Sequence, residues 1–283
     1  MSYVINDCHV HTNPEAELDS KDELLKQLDD AGVKQMILLS HRPASFIIEG
    51  GSGEVMGGKA IPHQEALAKV MEWSTFSPRI IPFYWIDPLE EDAFEQVDNA
   101  VSAGIAGFKV ICNRHYPGDD RPMQVWERIA KKNKPILFHS GILYGNGPSS
   151  NFNRPANFEA LFDIPNLHFA MAHVSWPWCD ECLAVYGYWR SRNKRGTSTA
   201  ELFIDTTPGS PKIYRKDIFY KIYNIGYDIE NNLLFGTDCN TLYRPEYTKY
   251  VMDMDNEAMD SAGASTEQKE KYFGKNFTRF LNG

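Results

Sequence analysis

The first apolar run of the chain reads Val4-Ile5-Asn6-Asp7-Cys8-His9-Val10-His11. Side chains two residues apart on a strand point to the same face, so His9 and His11 would project their imidazoles to one side. Two histidines on a strand are common and by themselves say little about function. What the pair means depends on which residues the rest of the chain places beside it.

Further apolar runs recur along the chain, and amphipathic helical patterns fill the segments between them. Several runs, such as Met36-Ile37-Leu38-Leu39, are continuously apolar, which is typical of parallel strands covered by helices on both faces. We therefore predict eight strands, at Val4–Val10, Val33–Leu39, Ile80–Ile86, Ile105–Ile111, Ile136–His139, Leu167–Ala172, Leu202–Ile204 and Leu233–Phe235.

Helix signals lie between these strands. Ser20 and Glu23 form a capping-box pattern before a helix that should end at Gly32, and similar stops occur at Gly104, Asn133 and Gly226. The alternation predicts an α/β fold, and eight units predict a (β/α)8 TIM barrel that spans residues 1–283 as a single domain. The strand count alone would also fit a doubly wound sheet, so the residues at the strand ends must decide.

Composition excludes several classes of protein. The net charge of −9 argues against nucleic acid as a partner, and no apolar run approaches the roughly 18 residues that a membrane span needs. The N-terminal residues lack the features of a secretory signal, so we expect a cytoplasmic protein. Five cysteines do not indicate a disulfide framework, and the single C-x-x-C of Cys179 and Cys182 lacks the second pair of a structural zinc site.

Two connections are unusually long for loops that follow barrel strands. They cover about residues 42–62, which are rich in glycine, and residues 141–153. Long loops of this kind often carry function in barrels. We therefore expect both to lie over a substrate site, the first as a lid, although a surface loop without a role is the alternative.

Polar residues end three of the later strands. His139, His173 and Asp238 follow the fifth, sixth and eighth apolar runs. In a parallel barrel every carboxyl strand end faces the same rim, so these residues should meet His9 and His11 there. Imidazole nitrogens and a carboxylate oxygen suit Zn²⁺, with Mn²⁺ also admissible, and three histidines with one aspartate leave a position for water.

The strand-end segments also resemble a known family. Asp7-Cys8-His9-Val10-His11, Phe138-His139-Ser140-Gly141, Ala172-His173 and Phe235-Gly236-Thr237-Asp238 are similar to signature segments of the amidohydrolase superfamily, in its amidohydrolase-2 branch. The closing Phe273-Gly274-Lys275-Asn276 resembles the terminal motif of that branch. The resemblance covers nearly the whole chain. It implies that His9, His11, His139 and Asp238 hold one divalent metal and that His173 stands beside it as an acid, a base or a polarising group.

These residues predict a hydrolase. A metal lowers the pKa of water from about 15.7 to about 7. Asp238 is then suited to take the proton of the water and pass it to a leaving group, while His173 helps to stabilise the developing oxyanion. We expect the substrate to be a small molecule with an amide, a lactone or a related bond, and to be anionic.

Lys109 ends the fourth strand, where related barrels carry a carbamylated lysine between two metals. The amidohydrolase-2 branch often has a histidine two residues later, and this chain has Ile111. We favour one metal with Lys109 as a charged substrate contact over a second metal on a carbamylated Lys109. Arg114 and His115 could grip an anionic substrate or form a solvated loop pair, and Trp176 could wall the pocket or pack under its loop.

Several other functions stay open. The same metal site could support a decarboxylase or a hydratase, and His9-Val10-His11-Thr12 also resembles the opening of some phosphoesterases. A barrel that has lost catalysis and only binds is disfavoured, because polar residues gathered at one rim have no stabilising purpose there. The sequence determines neither the substrate nor whether the chain forms a homo-oligomer.

Overall fold

The computed structural model describes residues 3–13, 20–46, 60–144 and 149–282. Within these ranges nine strands form one sheet in which every pairing is parallel. Every predicted strand is present, with bounds that move by two residues at most. The strands are β1 Asn6–His11, β2 Gln35–Leu39, β3 Ile80–Trp85, β4 Gly107–Val110, β5 Ile136–Phe138, β6 His168–Met171, β7 Glu201–Asp205, β8 Leu233–Leu234 and β9 Cys239–Asn240.

Helices alternate with the strands, and the predicted stops Gly32, Gly104, Asn133 and Gly226 all have the positive φ of a left-handed helix end. After β5 the connection is a 3-10 segment, Pro155–Asp163, instead of an α-helix. The helices are α1 Ser20–Ala31, α2 His63–Phe76, α3 Ala93–Ala103, α4 Asp120–Lys131, α5 Cys179–Lys194, α6 Lys212–Asn224, α7 Pro245–Ser261, α8 Thr266–Glu270 and α9 Asn276–Asn282.

The strand order is β8-β7-β6-β5-β4-β3-β2-β1-β9. The two edge strands, β8 and β9, belong to one short segment of chain. Thr206 N donates to Leu234 O over 3.0 Å on one side of this segment, and Cys8 N donates to Phe235 O over 2.9 Å on the other. The sheet is therefore curled, with helices around it, in the manner of a TIM-like α/β barrel.

Two apolar layers explain why the strands are continuously apolar. Cys8, Leu39, Phe83 and Phe203 belong to a cluster that includes inward residues of most strands. The alternate residues pack against the helices in a larger cluster. Because both faces of the sheet are covered, the strands have no solvent-facing side on which polar residues would alternate.

The closing glycine and asparagine fasten the C-terminus to the sheet. A Cβ on Gly274 would lie 2.6 Å from Val4 O, so only glycine permits the close approach of the chain to the start of β1. Asn276 Nδ2 donates to Leu233 O over 2.9 Å. A π-helical turn, Lys271–Lys275, joins α8 to α9 just before this contact.

The first long connection, about residues 42–62, lies mostly outside the described residues, which omit 47–59, and the second lacks 145–148. Their covering role stays a prediction. All five cysteines are free. Within the described part of the chain, no helix has the length and apolar character that crossing a membrane requires.

Candidate functional site

Three donor atoms converge at the carboxyl end of β1. His9 Nε2 and His11 Nε2 lie 3.3 Å apart, because the two residues occupy alternate positions of the strand. Asp238 Oδ1 lies 3.4 Å from His9 Nε2 and 3.3 Å from His11 Nε2. Asp238 reaches this point from the segment that separates β8 from β9. The sequence predicted that Asp238 follows the eighth strand, but it did not predict β9.

The spacing of these atoms fits a metal ion. Ligands at about 2.0–2.1 Å in a tetrahedral arrangement are about 3.4 Å from one another. The three separations observed here match that value. Burial lowers the pKa values of His9 and His11, which favours the neutral imidazole that binds metals. His9, His11 and Asp238 could therefore hold one divalent ion.

Asp238 is held in an unusual conformation by its neighbours. Its φ is 56°. The preceding Thr237 donates from its amide and its hydroxyl to the two oxygens of buried Asp7, over 3.0 and 2.6 Å. The Asp238 side chain is 33% exposed, more than any histidine of the cluster.

His139 and His173 stand next to this centre. The ligand atoms of His9, His173 and Asp238 lie within 4.8 Å of one another, and the rings of His139 and His173 are 5.0 Å apart. His139 Nε2 is buried and has no hydrogen-bond partner among the described residues. An uncoordinated polar atom in such a position is costly, so His139 has the capacity to take a ligand.

Neighbouring oxygens orient two of the imidazoles. His9 Nδ1 lies 2.7 Å from Asp205 Oδ2, and His173 Nδ1 lies 2.9 Å from Thr207 Oγ1. An Asp205 carboxylate binds the proton on His9 Nδ1 and leaves the lone pair of Nε2 for another partner. The sequence alone did not assign a role to Asp205, and it did not select Thr207. Their position at the end of β7 was the available signal.

Lys109 is buried at the end of β4, with its Nζ 3.2 Å from His9 Nε2. Burial lowers the pKa of Lys109 to about 8, although Asp238 and Asp205 act to raise it. The structure therefore brings Lys109 into the cluster. This position is compatible both with a contact to an anionic substrate and with a carbamate between two metals.

The three weaker candidates have different surroundings. Arg114 Nη2 donates to Asp87 Oδ2 over 2.5 Å, so its charge is paired with a residue of the preceding loop. His115 is 3% exposed, and neither ring nitrogen has a hydrogen-bond partner among the described residues. The ring of Trp176 packs 4.7 Å from that of Tyr214. Among the described hydrogen bonds and ring pairs, Arg114 and His115 do not contact the histidine cluster. Trp176 contacts it through the backbone alone, where Trp176 N donates to His173 O over 3.0 Å.

An apolar wall that the sequence did not reveal adjoins the cluster. Phe46, Trp85, Ile111 and Leu143 form a separate buried group contributed by the residues at or after the ends of β2, β3, β4 and β5. The Trp85 ring centroid is 5.9 Å from that of His11. Because each residue belongs to an ordinary apolar run or loop, only the topology brings them together beside the polar site.

A curled parallel sheet with a histidine and aspartate cluster at its carboxyl ends defines a recognisable class of α/β protein. The sequence profile of the amidohydrolase family, the Amidohydro_2 group, matches residues 7–283. The chain therefore belongs to the amidohydrolase family, as its motifs indicated. No curated protein sequence matches it.

Solved structures share the fold at low sequence identity. The 2,6-dihydroxybenzoate decarboxylase from Rhizobium is 17% identical, with a TM-score of 0.63 over 99% of this chain and 98% of that chain. A probable 2-pyrone-4,6-dicarboxylic acid hydrolase from Acinetobacter baumannii is 10% identical, with a TM-score of 0.58 over 99% of both chains. A putative amidohydrolase from Staphylococcus aureus is 16% identical, with a TM-score of 0.63 over 98% of this chain and 99% of that chain.

Proposed function

We propose that this protein is a metal-dependent hydrolase in a closed (β/α)8 barrel, and that it attacks a carbonyl carbon of a small carboxylated substrate. The observation that carries the proposal is the mutual spacing of 3.3 to 3.4 Å among His9 Nε2, His11 Nε2 and Asp238 Oδ1. His9, His11, His139 and Asp238 would hold the ion. Zn²⁺ is the first choice for this donor set, with Mn²⁺ second.

A divalent ion held there would polarise a carbonyl oxygen and lower the pKa of water to about 7. The chain supplies the remaining steps. Asp238 accepts a proton from the water, because its carboxylate lies beside both imidazoles and its side chain is partly exposed, and it delivers that proton to the leaving group. His173, oriented by Thr207, donates a hydrogen bond to the oxygen on which negative charge develops.

Lys109 would bind the substrate carboxylate. Its ammonium is buried among the ligands, where a charge-assisted hydrogen bond to an anion is strong. Arg114 and His115, in the loop after β4, would assist substrate binding without touching the histidine cluster. Trp176, in the loop after β6, would also assist substrate binding. A second ion on a carbamylated Lys109 is the alternative arrangement. The net charge of −9 argues against nucleic acid as a substrate.

Decarboxylation is the second candidate, and the apolar wall favours it. Trp85 beside His11 could support a flat ring, while Lys109 holds a carboxylate on that ring. One relative of the same fold is a 2,6-dihydroxybenzoate decarboxylase. At its level of sequence identity the likeness extends to the fold alone, so the reaction must be tested directly.

Isotope labelling separates the two reactions. Carboxylated lactones, carboxylated cyclic amides and hydroxybenzoates are incubated with the Zn²⁺-loaded or Mn²⁺-loaded enzyme in H₂¹⁸O, and the products are analysed by mass spectrometry. Hydrolysis adds one ¹⁸O to the product, whereas decarboxylation releases CO₂ and leaves the ring product without added oxygen. We expect the first result.

The Asp238→Asn variant tests the assigned proton carrier. We expect kcat to fall about 10²- to 10⁴-fold, because the amide cannot accept the proton and is also a weaker metal ligand than the carboxylate. Asp253→Asn, the same exchange at an exposed residue of α7, serves as a control. Full activity of Asp238→Asn would contradict the mechanism.

A further inference from the structure

Three successive residues at the end of β7 have separate partners. Asp205 pairs with His9, and Thr207 pairs with His173. Thr206 lies between them and, because strand side chains alternate, points to the opposite face. Its hydroxyl lies 2.5 Å from the hydroxyl of Tyr272, in the π-helical turn near the C-terminus. Thr206 therefore links the histidine cluster to the helical turn that contains Tyr272.

A buried ion pair lies beyond Thr206. Arg215 in α6 donates from Nε to Asp255 Oδ1 over 2.6 Å and from Nη2 to Asp255 Oδ2 over 2.9 Å. Tyr272 donates its only hydroxyl proton to Asp255 Oδ2 over 2.6 Å. The Tyr272 oxygen is then an acceptor towards Thr206, whose single hydroxyl proton also has Leu234 O at 3.3 Å as an acceptor. Arg215 Nη2 donates to Thr206 Oγ1 over 3.5 Å, so the ion pair also reaches Thr206 directly.

Stability does not explain this arrangement. Arg215, Asp255 and Tyr272 are each 1% exposed or less. A buried ion pair costs desolvation that apolar side chains of similar volume would avoid, and Arg215 Nη1 has no hydrogen-bond partner among the described residues. A π-helical turn is also uncommon and is found frequently at functional sites. These features indicate that the three residues hold neighbouring parts of the chain in a defined position.

We propose that Arg215, Asp255 and Tyr272 form a positioning unit that fixes the end of β7 through Thr206, and thereby sets the orientation of His9 and His173. The inference rests on the proposed metal function of the cluster. The unit itself touches neither substrate nor metal. Its effect passes through Asp205 and Thr207, which flank the residue that it holds.

Removal of one hydroxyl tests the unit. Tyr272→Phe keeps the ring and its packing against Phe235 and Phe273. Thr206→Val is a second variant, which removes the other hydroxyl of the same bond. Tyr186→Phe is the matched control, because Tyr186 is equally buried and its hydroxyl bonds to Asn232 and Asp228, which lie before β8 at the opposite end of the strands.

The first readout is binding of Co²⁺ alone, followed by its visible absorption spectrum. We expect Tyr272→Phe and Thr206→Val to raise the Kd for Co²⁺ about tenfold, at the lower end of effects measured for groups that orient metal ligands, and to change the band positions. Tyr186→Phe should stay within about twofold of the wild type. Wild-type affinity and spectrum in both variants would overturn the inference.

The second readout needs no metal. Histidine-selective ¹⁵N NMR of the metal-free protein follows the proton on His9 Nδ1, which Asp205 should hold in one tautomer. Both variants should shift or broaden this signal, and the control should not. If the wild type binds no Co²⁺ while this signal still responds, the proposed function fails and the positioning unit stands. An unchanged signal in both variants contradicts the unit.

Discussion

The histidines of the cluster are buried beside Lys109. Burial and the neighbouring positive charge together determine their protonation state. Burial, followed by the charge of Lys109, holds the pKa of His9 well below its usual range. Burial and the neighbouring His173 do the same for His139. Both imidazoles are therefore neutral at physiological pH, the form in which a nitrogen lone pair is available to a metal.

His115 gives a pH-dependent prediction away from the cluster. Burial lowers its pKa to about 4 from the 6.5 expected in the unfolded chain, so the unfolded state binds more protons between these values. Stability is complete above pH 6.5 and is lost as the pH falls towards 4. Between pH 7.5 and pH 5, the free energy of unfolding of the wild type should fall by about 2 kcal/mol more than that of His115→Leu.

Urea unfolding at the two pH values measures this difference. The control is Ile213→Leu, an exchange of an exposed side chain that carries no titratable group. This exchange should leave the pH dependence of the wild type unchanged. Equal losses of stability in the wild type and in His115→Leu would show that His115 is protonated in the folded state without cost.

Individual contacts were predicted unevenly from the sequence. His9, His11 and Asp238 could be placed together, because a parallel sheet brings its carboxyl ends to one rim. The contact between His9 and Asp205 spans 196 residues of sequence and depends on how β7 is placed across the sheet from β1. No local pattern encodes that placement. The pairing of Arg114 with Asp87 likewise depends on two loop conformations.

At the scale of elements, the turn after β6 is the most unusual feature. His173, Val174 and Ser175 have φ values of 60°, 46° and 54°. A left-handed conformation costs L-residues roughly 1–2 kcal/mol each. Local contacts hold the turn, including a hydrogen bond between the hydroxyls of Ser140 and Ser175. Strain of this kind concentrates at functional sites, and here it presents His173 to the cluster.

Gly209→Ala should disturb this turn. The new Cβ would lie 2.7 Å from the Cβ of His173 and 3.2 Å from its Nδ1, the atom that pairs with Thr207. We expect activity to fall at least tenfold while the protein stays folded, because a misplacement of about 1 Å can cost about 10²-fold. Activity is measured by steady-state kinetics, and folding by circular dichroism.

The matched control is Gly187→Ala in α5. Its Cβ would crowd the ring of Tyr227 at 2.6 Å, away from the cluster. It should lower the melting temperature without changing kcat. If Gly209→Ala keeps wild-type kcat, then the position of His173 is not important for the reaction.

The elements themselves were well predicted, since apolar runs and helix stops are local signals. The interruption between β8 and β9 was not, because it arises where Asp238 turns towards the cluster with a φ of 56°. The 3-10 segment after β5 was also not apparent, since its apolar residues have no pattern that separates it from an α-helix.

At the scale of the whole molecule, the fold works as a frame for one site. Parts of the chain that are far apart in sequence, namely β1 and the segments after β5, β6 and β8, present their polar residues at the same end of the sheet. Apolar side chains form the two large clusters of the interior, and the buried polar groups away from the rim, such as Arg215 and Asp255, are paired with each other.

A ligand that binds only the folded state stabilises it. Zn²⁺ at about 100 times its Kd should contribute about 2.7 kcal/mol and raise Tm by about 5 °C, and EDTA should reverse the change. Differential scanning calorimetry measures the shift. The variant with both His9→Ala and His11→Ala should show no response, whereas His168→Ala, outside the cluster, should respond like the wild type.

The central claim is that His9, His11, His139 and Asp238 hold a metal ion, and elemental analysis tests it most directly. Purified wild-type protein, after exposure to Zn²⁺ and Mn²⁺ and removal of the excess, should contain about one divalent ion per chain. The variant with both His9→Ala and His11→Ala should contain almost none. A wild-type protein that retains no divalent ion under these conditions would contradict the account.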